Sequence, residues 1–529
     1  MEPYASELLW FVIAGFVVAF VLAFGIGAND VANSFGTSVG SKVLTLTQAC
    51  VLATIFEIAG AVLIGYKVSD TMRKGILDVS LYEGGGERLL AAGCLSALFA
   101  GALWLLLATA LRLPVSGTHS IVGATVGFTL TAKGPVGVRW STLGAIVLSW
   151  FISPALSGAV SAMLFWLVRR FILRAVAPLK AGLQALPYFY GATVAVNVIS
   201  VVHDGPKLMA MDKIPVWAAL AGSTALGAIA AGCVQVFLVP YYRRQLSKPV
   251  NFSLGVSNGK HHFYLKCNFM KNCHLNPIAY YFRNHSPEPS GAWSVERDRV
   301  GGAARLPAIT PNSSAAPLLR VGTPPPPPPV SKPEPEALKL FSFLQVLTAT
   351  FGAFAHGGND VSNAIGPLVA LWLLYSEGGT HARAETPLAI LVFGGVGIAL
   401  GLWLWGRRVI QTVGEDLTNI TPDTGFTIEL GSALTVLVAS KAGLPISTTH
   451  CKVGSVVCVG YFSDKAVDWS LFRYCIATGT FICLCIICMT RMLKGCFLRR
   501  NIIFAWVVTV PVVAGIAALT MLVLESFAV

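Results

Sequence analysis

Two stretches of this sequence carry nearly the same polar motif: residues 25–37 read G-I-G-A-N-D-V-A-N-S-F-G-T, and residues 355–367 read A-H-G-G-N-D-V-S-N-A-I-G-P. Each copy lies in or beside an apolar run long enough to cross a lipid bilayer. Asparagine and aspartate are costly at that depth unless they bind a ligand or one another. The recurrence of the motif at Asp30 and again at Asp360 therefore predicts two halves of one functional site.

The composition indicates a protein that lies largely within a bilayer. Charged residues make up 12% of the 529 residues and hydrophobic residues 55%, whereas roughly 25% of an average soluble domain is charged. We therefore expect an all-α polytopic membrane protein. Its first apolar run, about residues 8–28, follows acidic rather than basic residues, so we expect a retained span and not a cleaved signal. The twelve cysteines show no pair of C-x-x-C motifs of the kind that holds a metal.

The net charge of +13 is concentrated in one polar region. Between Pro240 and Leu340 the chain has 13 lysines and arginines against 5 acids. Such an excess marks the cytoplasmic loops of membrane proteins, so we place residues 240–340 in the cytoplasm and do not expect nucleic-acid binding. The region has no apolar periodicity and contains Pro324–Pro329. It is predicted to be a disordered basic, proline-rich linker that acts as a spacer or binds a cytosolic partner through its prolines.

Apolar runs on both sides of this loop define two transmembrane regions, residues 1–239 and residues 341–529. The runs lie at about 8–28, 43–66, 89–111, 115–131, 142–168, 186–203, 215–239, 341–375, 387–405, 426–440, 443–462, 474–490 and 502–525. Several are shorter than the ~20 residues of a full helical crossing, and glycine and proline interrupt them, most clearly at Pro114 and Pro445. Such segments at matching places of two halves are typical of transporter sites, and we predict about 12 spans with broken or re-entrant helices.

A second motif is repeated at nearly the same spacing. Residues 113–119 read L-P-V-S-G-T-H and residues 444–450 read L-P-I-S-T-T-H. The separation of these two copies differs by a single position from the separation of Asp30 and Asp360. Two motifs in the same order and almost the same register indicate an internal duplication.

The aspartate motif favours a cation site. Asp30 and Asn33 share one face of a helix because they are three residues apart. A carboxylate near the bilayer centre costs ~2.5–3.5 kcal/mol, which a bound cation such as sodium or a proton can offset. Pairing of the acids with helix ends, or simple adhesion between helices, is the alternative. We assign the sodium ligands to Asn29, Asp30, Asn359 and Asp360.

The second motif offers hydrogen-bond donors for an anion. Proline suits the first turn of a helix, where its missing N–H is not needed. The residues after it would then lie at a helix start, whose free N–H groups and dipole favour negative charge. Ordinary capping is the alternative, but the duplication and the nearby acids favour an anion site. Its expected ligands are Asn33, Ser116, Gly117, Thr118, Asn363, Ser447, Thr448 and Thr449.

Four further polar residues lie in or next to the apolar runs. Glu57 and Glu429 interrupt hydrophobic sequence and are candidates for gating or coupling. His119 and His450 end the second motif, and nothing beside them provides metal-ligand spacing. We interpret both histidines either as coupling residues behind the ligands or as packing residues.

Together these motifs resemble those of the inorganic phosphate transporter (PiT) family, the sodium–phosphate symporters also known in vertebrates as virus receptors. The resemblance covers about residues 1–240, 340–473 and 501–529. It implies two inverted-topology repeats around one phosphate site, sodium as the coupling ion, no other cofactor and a multi-pass location in the plasma membrane. It also implies that the aspartates and asparagines bind ions and phosphate, that the serines and threonines hold phosphate, and that Glu57 and Glu429 are required for transport.

One segment departs from that pattern. Residues 474–500 separate Asp468–Arg473 from Asn501–Pro511, two stretches that adjoin in animal members of the family. The insert is apolar and rich in cysteine. It is either an additional span, which would invert the C-terminus, or an artefact of the gene model or of splicing, and we favour the second explanation.

The sequence thus predicts a transporter and not an enzyme. We expect sodium and phosphate to bind together and to be imported by alternating access. Proton coupling, with phosphate or another oxyanion as substrate, is one alternative, and a non-transporting phosphate sensor or receptor is another. A phosphatase lacks support, because no nucleophile is paired with a base. Expected partners are inorganic phosphate, sodium, the lipid bilayer, a second copy of the chain in a homodimer and the cytosolic protein that binds the prolines.

Overall fold

The computed structural model describes residues 2–111, 113, 115–203, 205, 211–246, 255–257, 260–262, 335–380, 385–407, 410, 420–464 and 497–528. Within these ranges it leaves out the side chains of residues 32, 33, 212, 246, 255–257, 260–262, 335–338, 464, 497–507 and 527–528. The chain divides into a large unit, Met1–Val250 with Pro333–Val529, and a small unit, Asn251–Lys332.

The first half of the large unit is helical almost throughout its described length. Its helices are α1 (Ser6–Asn29), α2 (Ala32–Gly40), α3 (Leu46–Ile64), α4 (Tyr66–Lys74), α5 (Glu87–Ala110), α6 (Gly117–Lys133), α7 (Trp140–Val168), α8 (Pro178–Val202), α9 (Val216–Cys233) and α10 (Val239–Leu246). Two of them continue as π-helical turns, Arg169–Leu173 after α7 and Val234–Leu238 after α9. Short 3-10 turns lie at Val79–Tyr82, Gly134–Gly137 and Met211–Lys213.

The second half is helical in the same way. Its helices are α11 (Pro335–Glu377), α12 (Leu388–Trp405), α13 (Pro422–Lys441), α14 (Thr448–Asp464) and α15 (Phe497–Ala528). Helices satisfy all their backbone hydrogen bonds internally, which is what a chain in hydrocarbon requires. The expected all-α class is therefore confirmed.

Nine helices of the described residues are long and apolar enough to cross a membrane. They start and end close to the predicted apolar runs; α1, for example, spans Ser6–Asn29 where residues 8–28 were expected. The total of about 12 spans stays a prediction. Of the insert at residues 474–500, residues 474–496 lie outside the described ranges, and residues 497–500 form the start of α15.

The polar loop is shorter than expected at both ends. Helix α10 continues to Leu246, and α11 already begins at Pro335, so both helices extend into residues 240–340. Within the loop, β1 (Gly255–Ser257) and β2 (Lys260–His262) form an antiparallel hairpin that the prediction of disorder did not include. The other residues of that predicted linker, with Pro324–Pro329, lie outside the described ranges.

The two copies of the aspartate motif differ in their backbone. Helix α1 ends at Asn29, Asp30 follows as its C-cap, and α2 begins at Ala32. The second copy lies wholly inside the 43-residue helix α11, although that helix contains Pro367. The helix is therefore interrupted at this motif in the first half and continuous in the second.

Both copies of the second motif start a short helix in the protein interior. Helices α6 and α14 have 17 residues each, fewer than the ~20 of a full crossing. The residues just before them, Val115 and Ile446, are buried and not helical. Pro445 precedes the first helical residue, Thr448, by three positions, so its expected place in the first turn is wrong: the helix is started by a serine cap instead.

Glycines let helices of opposite halves touch backbone to backbone. A Cβ atom at Gly27 of α1 would overlap the carbonyl oxygen of Ile398 in α12. The equivalent glycine of the other half, Gly357 of α11, stands in the same relation to the carbonyl oxygen of Glu57 in α3. Each copy of the aspartate motif thus packs closely against a helix of the other half.

Each short helix also packs closely on a helix of the other half. In α6, a Cβ at Gly123 would lie 2.8 Å from the carbonyl oxygen of Val510 in α15. In α14, a Cβ at Gly454 would overlap the carbonyl oxygen of Pro154 in α7. Both kinds of glycine contact thus occur twice and reciprocally. The hydrogen bonds described below connect the motif copies of the two halves.

Candidate functional site

The start of α6 is capped by the first P-x-S-x-T-H motif. Ser116 is the N-cap, and its Oγ accepts a hydrogen bond from the N–H of His119 at 3.3 Å. The hydroxyl of Thr118 donates across the halves to the carbonyl oxygen of Ile446, at 2.9 Å. All three motif residues from Ser116 to Thr118 are buried, so the helix start faces protein and not water.

The start of α14 repeats this arrangement. Ser447 Oγ accepts from the N–H of His450 at 3.2 Å. The hydroxyl of Thr449, which corresponds to Thr118, donates to the carbonyl oxygen of Val115 at 3.3 Å. The predicted clustering of serine and threonine at two helix starts is therefore present, and each threonine also ties one motif copy to the other.

Asp30 connects the two helix starts. Its Oδ2 accepts from the backbone N–H of Gly117 at 3.0 Å, and its Oδ1 accepts from the hydroxyl of Thr449 at 3.0 Å. The first contact lies within its own half and the second crosses to the other. A carboxylate accepting an N–H at a helix start is stabilised as an anion by that helix.

Asp360 has a richer set of contacts. Its Oδ2 accepts from the hydroxyl of Thr448 at 2.7 Å. Its Oδ1 accepts from two amide groups, that of Asn363 at 2.8 Å and that of Asn359 at 3.1 Å. The bond from Asn363 is the i, i+3 contact expected on one helix face, and the same amide donates to Thr118 at 2.8 Å.

The asparagine directly before each aspartate, Asn29 or Asn359, forms hydrogen bonds with the backbone that precedes a short helix. Asn29 donates to the carbonyl oxygen of Leu113 at 2.9 Å and accepts from the N–H of Val115 at 3.0 Å. Asn359 donates to the carbonyl oxygen of Ile446 at 2.8 Å. The oxygen of Asn29 is thus already bonded to backbone, and only its second lone pair remains for a sodium ion.

Two amide oxygens remain without a hydrogen-bond donor in the part of the chain that the structure describes. They are Oδ1 of Asn359 and Oδ1 of Asn363, both buried beside Asp360. A buried acceptor without a donor is costly, and a cation would satisfy it. The side chain of Asn33, the counterpart of Asn363, lies outside the described residues.

Glu57 reaches this cluster through a residue that the sequence reasoning missed, His356. Its Nε2 lies 2.7 Å from Oδ2 of Asp360, and its Nδ1 lies 3.2 Å from Oε1 of Glu57. The sequence contains a signal for this contact. The second copy of the aspartate motif reads A-H-G-G-N-D, with a histidine four residues before the aspartate, where the first copy has Ile26.

Glu429 occupies a separate polar cluster. Its Oε1 accepts from the hydroxyls of Thr37 at 2.6 Å and Ser38 at 2.5 Å, and from the amide of Gln345 at 3.2 Å. Its Oε2 accepts from Thr348 at 2.8 Å. The structure thus does not bring Glu429 into contact with either aspartate, and it places the two predicted coupling glutamates in different surroundings.

None of the four donors to Glu429 was predicted from the sequence. A comparison of the two halves would have pointed to them, because this cluster has no counterpart. At the spacing of the repeated motifs, Leu98 corresponds to Glu429, and Gly15 and Val18 correspond to Gln345 and Thr348. Polar residues that appear in only one of two repeats are the signal.

The two predicted histidines form a pair away from the aspartates. The rings of His119 and His450 are 4.4 Å apart, and the ring of Trp150 lies 3.8 Å from that of His119. Nδ1 of His450 lies 3.3 Å from the carbonyl oxygen of Trp150. These rings thus pack on each other and on Trp150, which favours packing over ligand binding for this pair.

The site can therefore offer two kinds of ligand group at one buried place. Carboxylate and amide oxygens are ligands for a hard cation. The helix-start N–H groups and the hydroxyls of threonine are donors for an anion. Among the described residues, neither aspartate pairs with a lysine or arginine.

Comparison with known proteins places this site in a family. A profile of the Phosphate transporter family matches residues 26–489. Sodium-dependent phosphate transporter 1-A of Danio rerio is 39% identical, over 98% of this chain and 95% of the relative. Sodium-dependent phosphate transporter 2 of Bos taurus is 40% identical, over 98% of each.

A solved structure is similar along the whole length as well. The protein described as "The sodium-dependent phosphate transporter" is 30% identical and superposes with a TM-score of 0.71, covering 98% of this chain and 100% of that one. The solved structure agrees with the helical fold, and the profile match and the relatives show the family. The chain belongs to the phosphate transporter family.

Proposed function

We propose that this chain is a sodium-coupled symporter that imports inorganic phosphate across the plasma membrane by alternating access. The observation that carries the proposal is the joining of both motif copies at one buried place, where Asp30 and Asp360 each accept hydrogen bonds at a helix start. Membership of a transporter family agrees with the expectation that the chain is a transporter and not an enzyme.

Sodium would bind on the carboxylate and amide side of the site. The oxygens of Asp360, Asn359 and Asn363 supply one set of ligands, and the two amide oxygens have no competing donor among the described residues. Asp30 supplies the second carboxylate, while its neighbour Asn29 is committed to backbone bonds. Two sodium ions would neutralise two carboxylates that are otherwise costly at membrane depth.

Phosphate would bind on the donor side. The N–H of Gly117 and the hydroxyl of Thr449 are bonded to Asp30, and the hydroxyl of Thr448 is bonded to Asp360. These are the donors that an anion at the helix starts would use. Sodium drawn to the carboxylates weakens those bonds and releases the donors, so cation binding favours phosphate binding, which is the thermodynamic requirement of coupled transport.

Alternating access would use the duplication. The glycine contacts of α1 with α12 and of α11 with α3 are equivalent, and each joins helices of opposite halves. In transporters built from inverted-topology repeats, the two repeats rock about a shared site near the bilayer midplane. A site made equally from both motif copies would open to each side in turn as the repeats move.

The decisive experiment measures uptake of labelled phosphate by purified protein in liposomes at fixed pH, with sodium or choline outside. We expect uptake with sodium only, and its loss in Asp30→Asn. Asp78→Asn is the matched control, because Asp78 is a partly exposed residue bonded to Ser80 and Arg139. Uptake that follows pH and ignores sodium would contradict sodium coupling and support the proton-coupled alternative.

Two deletions test the remaining parts of the chain. Replacing residues 251–332 with a short linker should leave transport unchanged if that unit is a spacer, whereas a phosphate sensor would lose its signal while any transport persisted. Comparing uptake with and without residues 474–500 tests whether the insert belongs to the working protein. The homodimer and the cytosolic partner of Pro324–Pro329 stay predictions.

A further inference from the structure

One imidazole ring links two carboxylates inside the protein. His356 lies in α11, one turn before Asp360, with Nε2 2.7 Å from the aspartate and Nδ1 3.2 Å from Glu57. All three side chains are buried. Among the described residues, His356 is the one whose side chain places a polar atom against the Glu57 carboxylate.

The packing of the helices explains how Glu57 reaches this ring. Gly357, next to His356, lets the backbone of α3 approach α11 so closely that a Cβ there would overlap the carbonyl oxygen of Glu57. The equivalent approach at the crossing of α1 with α12 brings Gly27 against Ile398, beside Ile26. One crossing thus carries a histidine and a glutamate, and the equivalent crossing carries two isoleucines.

The ring also fixes the orientation of Asp360. Oδ2 of Asp360 lies against the ring of His356 and accepts a hydrogen bond from Thr448. Its Oδ1 is therefore turned toward the amides of Asn359 and Asn363. Asp30 has no ring contact among the described residues and is held by one N–H and one hydroxyl. A ligand group that is already oriented binds a cation with less loss of conformational freedom.

We propose that Glu57 acts on transport through His356, a positioning residue that orients Asp360 for sodium. The inference rests on the proposed sodium-coupled function and adds to it that the two half-sites are unequal: the cation site at Asp360 is preorganised, and the one at Asp30 is not.

A double-mutant cycle tests this chain of contacts. Glu57→Gln removes the charge, and His356→Gln keeps an amide nitrogen near the position of Nε2 but has nothing to contact Glu57. The measurement is the sodium concentration that gives half-maximal phosphate uptake by purified protein in liposomes, together with the phosphate KM at saturating sodium. The sodium-dependent rise in melting temperature in detergent gives a second readout that does not depend on transport.

We expect each single variant to raise the half-saturating sodium concentration about tenfold, or ~1.4 kcal/mol of binding free energy, because Asp360 is then held less firmly in the orientation that binds sodium. The double variant should be no worse than the worse single one, because both changes interrupt the same route. The phosphate KM at saturating sodium should stay within about twofold of the unmodified protein. Glu57→Asp should behave like Glu57→Gln, because the shorter side chain does not reach the ring.

Glu429→Gln combined with His356→Gln is the matched control, and its effects should multiply because the two residues lie in separate polar clusters. The proposal would be overturned if the effects of Glu57→Gln and His356→Gln on the half-saturating sodium concentration multiplied in the double variant. It would also be overturned if a single variant that inserts at the normal level had an unchanged half-saturating sodium concentration. Should His356→Gln not insert, His356→Asn, which gives up the contact with Asp360, takes its place in the cycle. A lack of sodium-dependent uptake by the unmodified chain would instead contradict the proposed function itself.

Discussion

The two half-sites share a motif but not their chemistry. Among the side chains that the structure describes, which do not include Asn33, Asp30 accepts one backbone N–H and one hydroxyl, whereas Asp360 accepts one hydroxyl and two amides and contacts an imidazole. The difference arises outside the repeated G-x-N-D core, at Ile26 against His356 and at Ile398 against Glu57. A duplication therefore copies the backbone that places a site, while substitutions around it make the two copies unequal.

The largest effect is expected where the halves are most alike. Asp30→Asn and Asp360→Asn should each lower sodium-dependent phosphate uptake by at least about 100-fold, because a neutral amide does not compensate a buried cation. The measurement is initial uptake per inserted protein. Substantial transport in one of the two variants would break the equivalence of the aspartates.

Packing at the glycine crossings should be almost as sensitive. Gly357→Ala forces a Cβ into the backbone of Glu57, which costs roughly 2 kcal/mol or about a 30-fold shift toward unfolded protein. The measurement is the amount of monodisperse protein in detergent and its melting temperature.

Gly352→Ala is the control in the same helix, because, apart from its chain neighbours and the helix's own nearby backbone, no atom of the described residues lies within 4 Å of a Cβ at that position. Gly27→Ala should lower the amount of protein and its melting temperature as much as Gly357→Ala does, because α1 crosses α12 as closely as α11 crosses α3. Tolerance of alanine at either crossing would show that the close approach is not needed.

The polar cluster around Glu429, which has no equivalent around Leu98, should give an intermediate effect. In the native protein, hydroxyl groups donate to the carboxylate of Glu429, and Glu429→Gln replaces one acceptor oxygen with an N–H donor. We expect uptake to become roughly tenfold slower, because charge-assisted hydrogen bonds are lost. The volume-conserving control Leu98→Met, at the corresponding position, should stay within about twofold. Equal effects of both changes would mean that the cluster is only packing.

A smaller contrast separates the paired threonines. Thr449→Val removes a donor to the charged Asp30, whereas Thr118→Val removes a donor to the neutral carbonyl of Ile446. Bonds to charged groups are worth about twice as much as neutral ones. We expect a roughly fivefold rise in the sodium concentration for half-maximal uptake for Thr449→Val and about twofold for Thr118→Val. The reverse order would argue against a cation at Asp30.

The histidine pair should matter least. His119→Phe keeps the ring packing against Trp150 and His450, so uptake should change by less than about twofold, as for a volume-conserving change in a packed interior. Uptake lost at normal protein levels would give this pair the coupling role that its position does not support.

Much of the site was predictable because its residues are local in the chain. The serine caps, the clustering of threonines at helix starts and the contact of Asp360 with Asn363 follow from spacings of one to four residues. The spacing of His356 and Asp360 in A-H-G-G-N-D could have shown that contact, but it carries no information about the second partner of the ring. That partner, Glu57, lies in the other half of the chain and meets it only across a helix crossing.

The sequence by itself determined that this chain is a helical membrane protein with a duplicated polar site, because composition, hydrophobic runs and repeated motifs are properties of neighbouring residues. The tertiary structure alone decided which copy contacts which. In the structure Thr118 bonds to Ile446, and Thr449 bonds to Asp30. Glu57 is connected to Asp360 through His356, whereas Glu429 lies in a separate cluster of hydroxyl groups. The reason is physical: contacts across the halves depend on how closely helices approach, and that distance is fixed by glycines packing against backbone that is remote in the sequence.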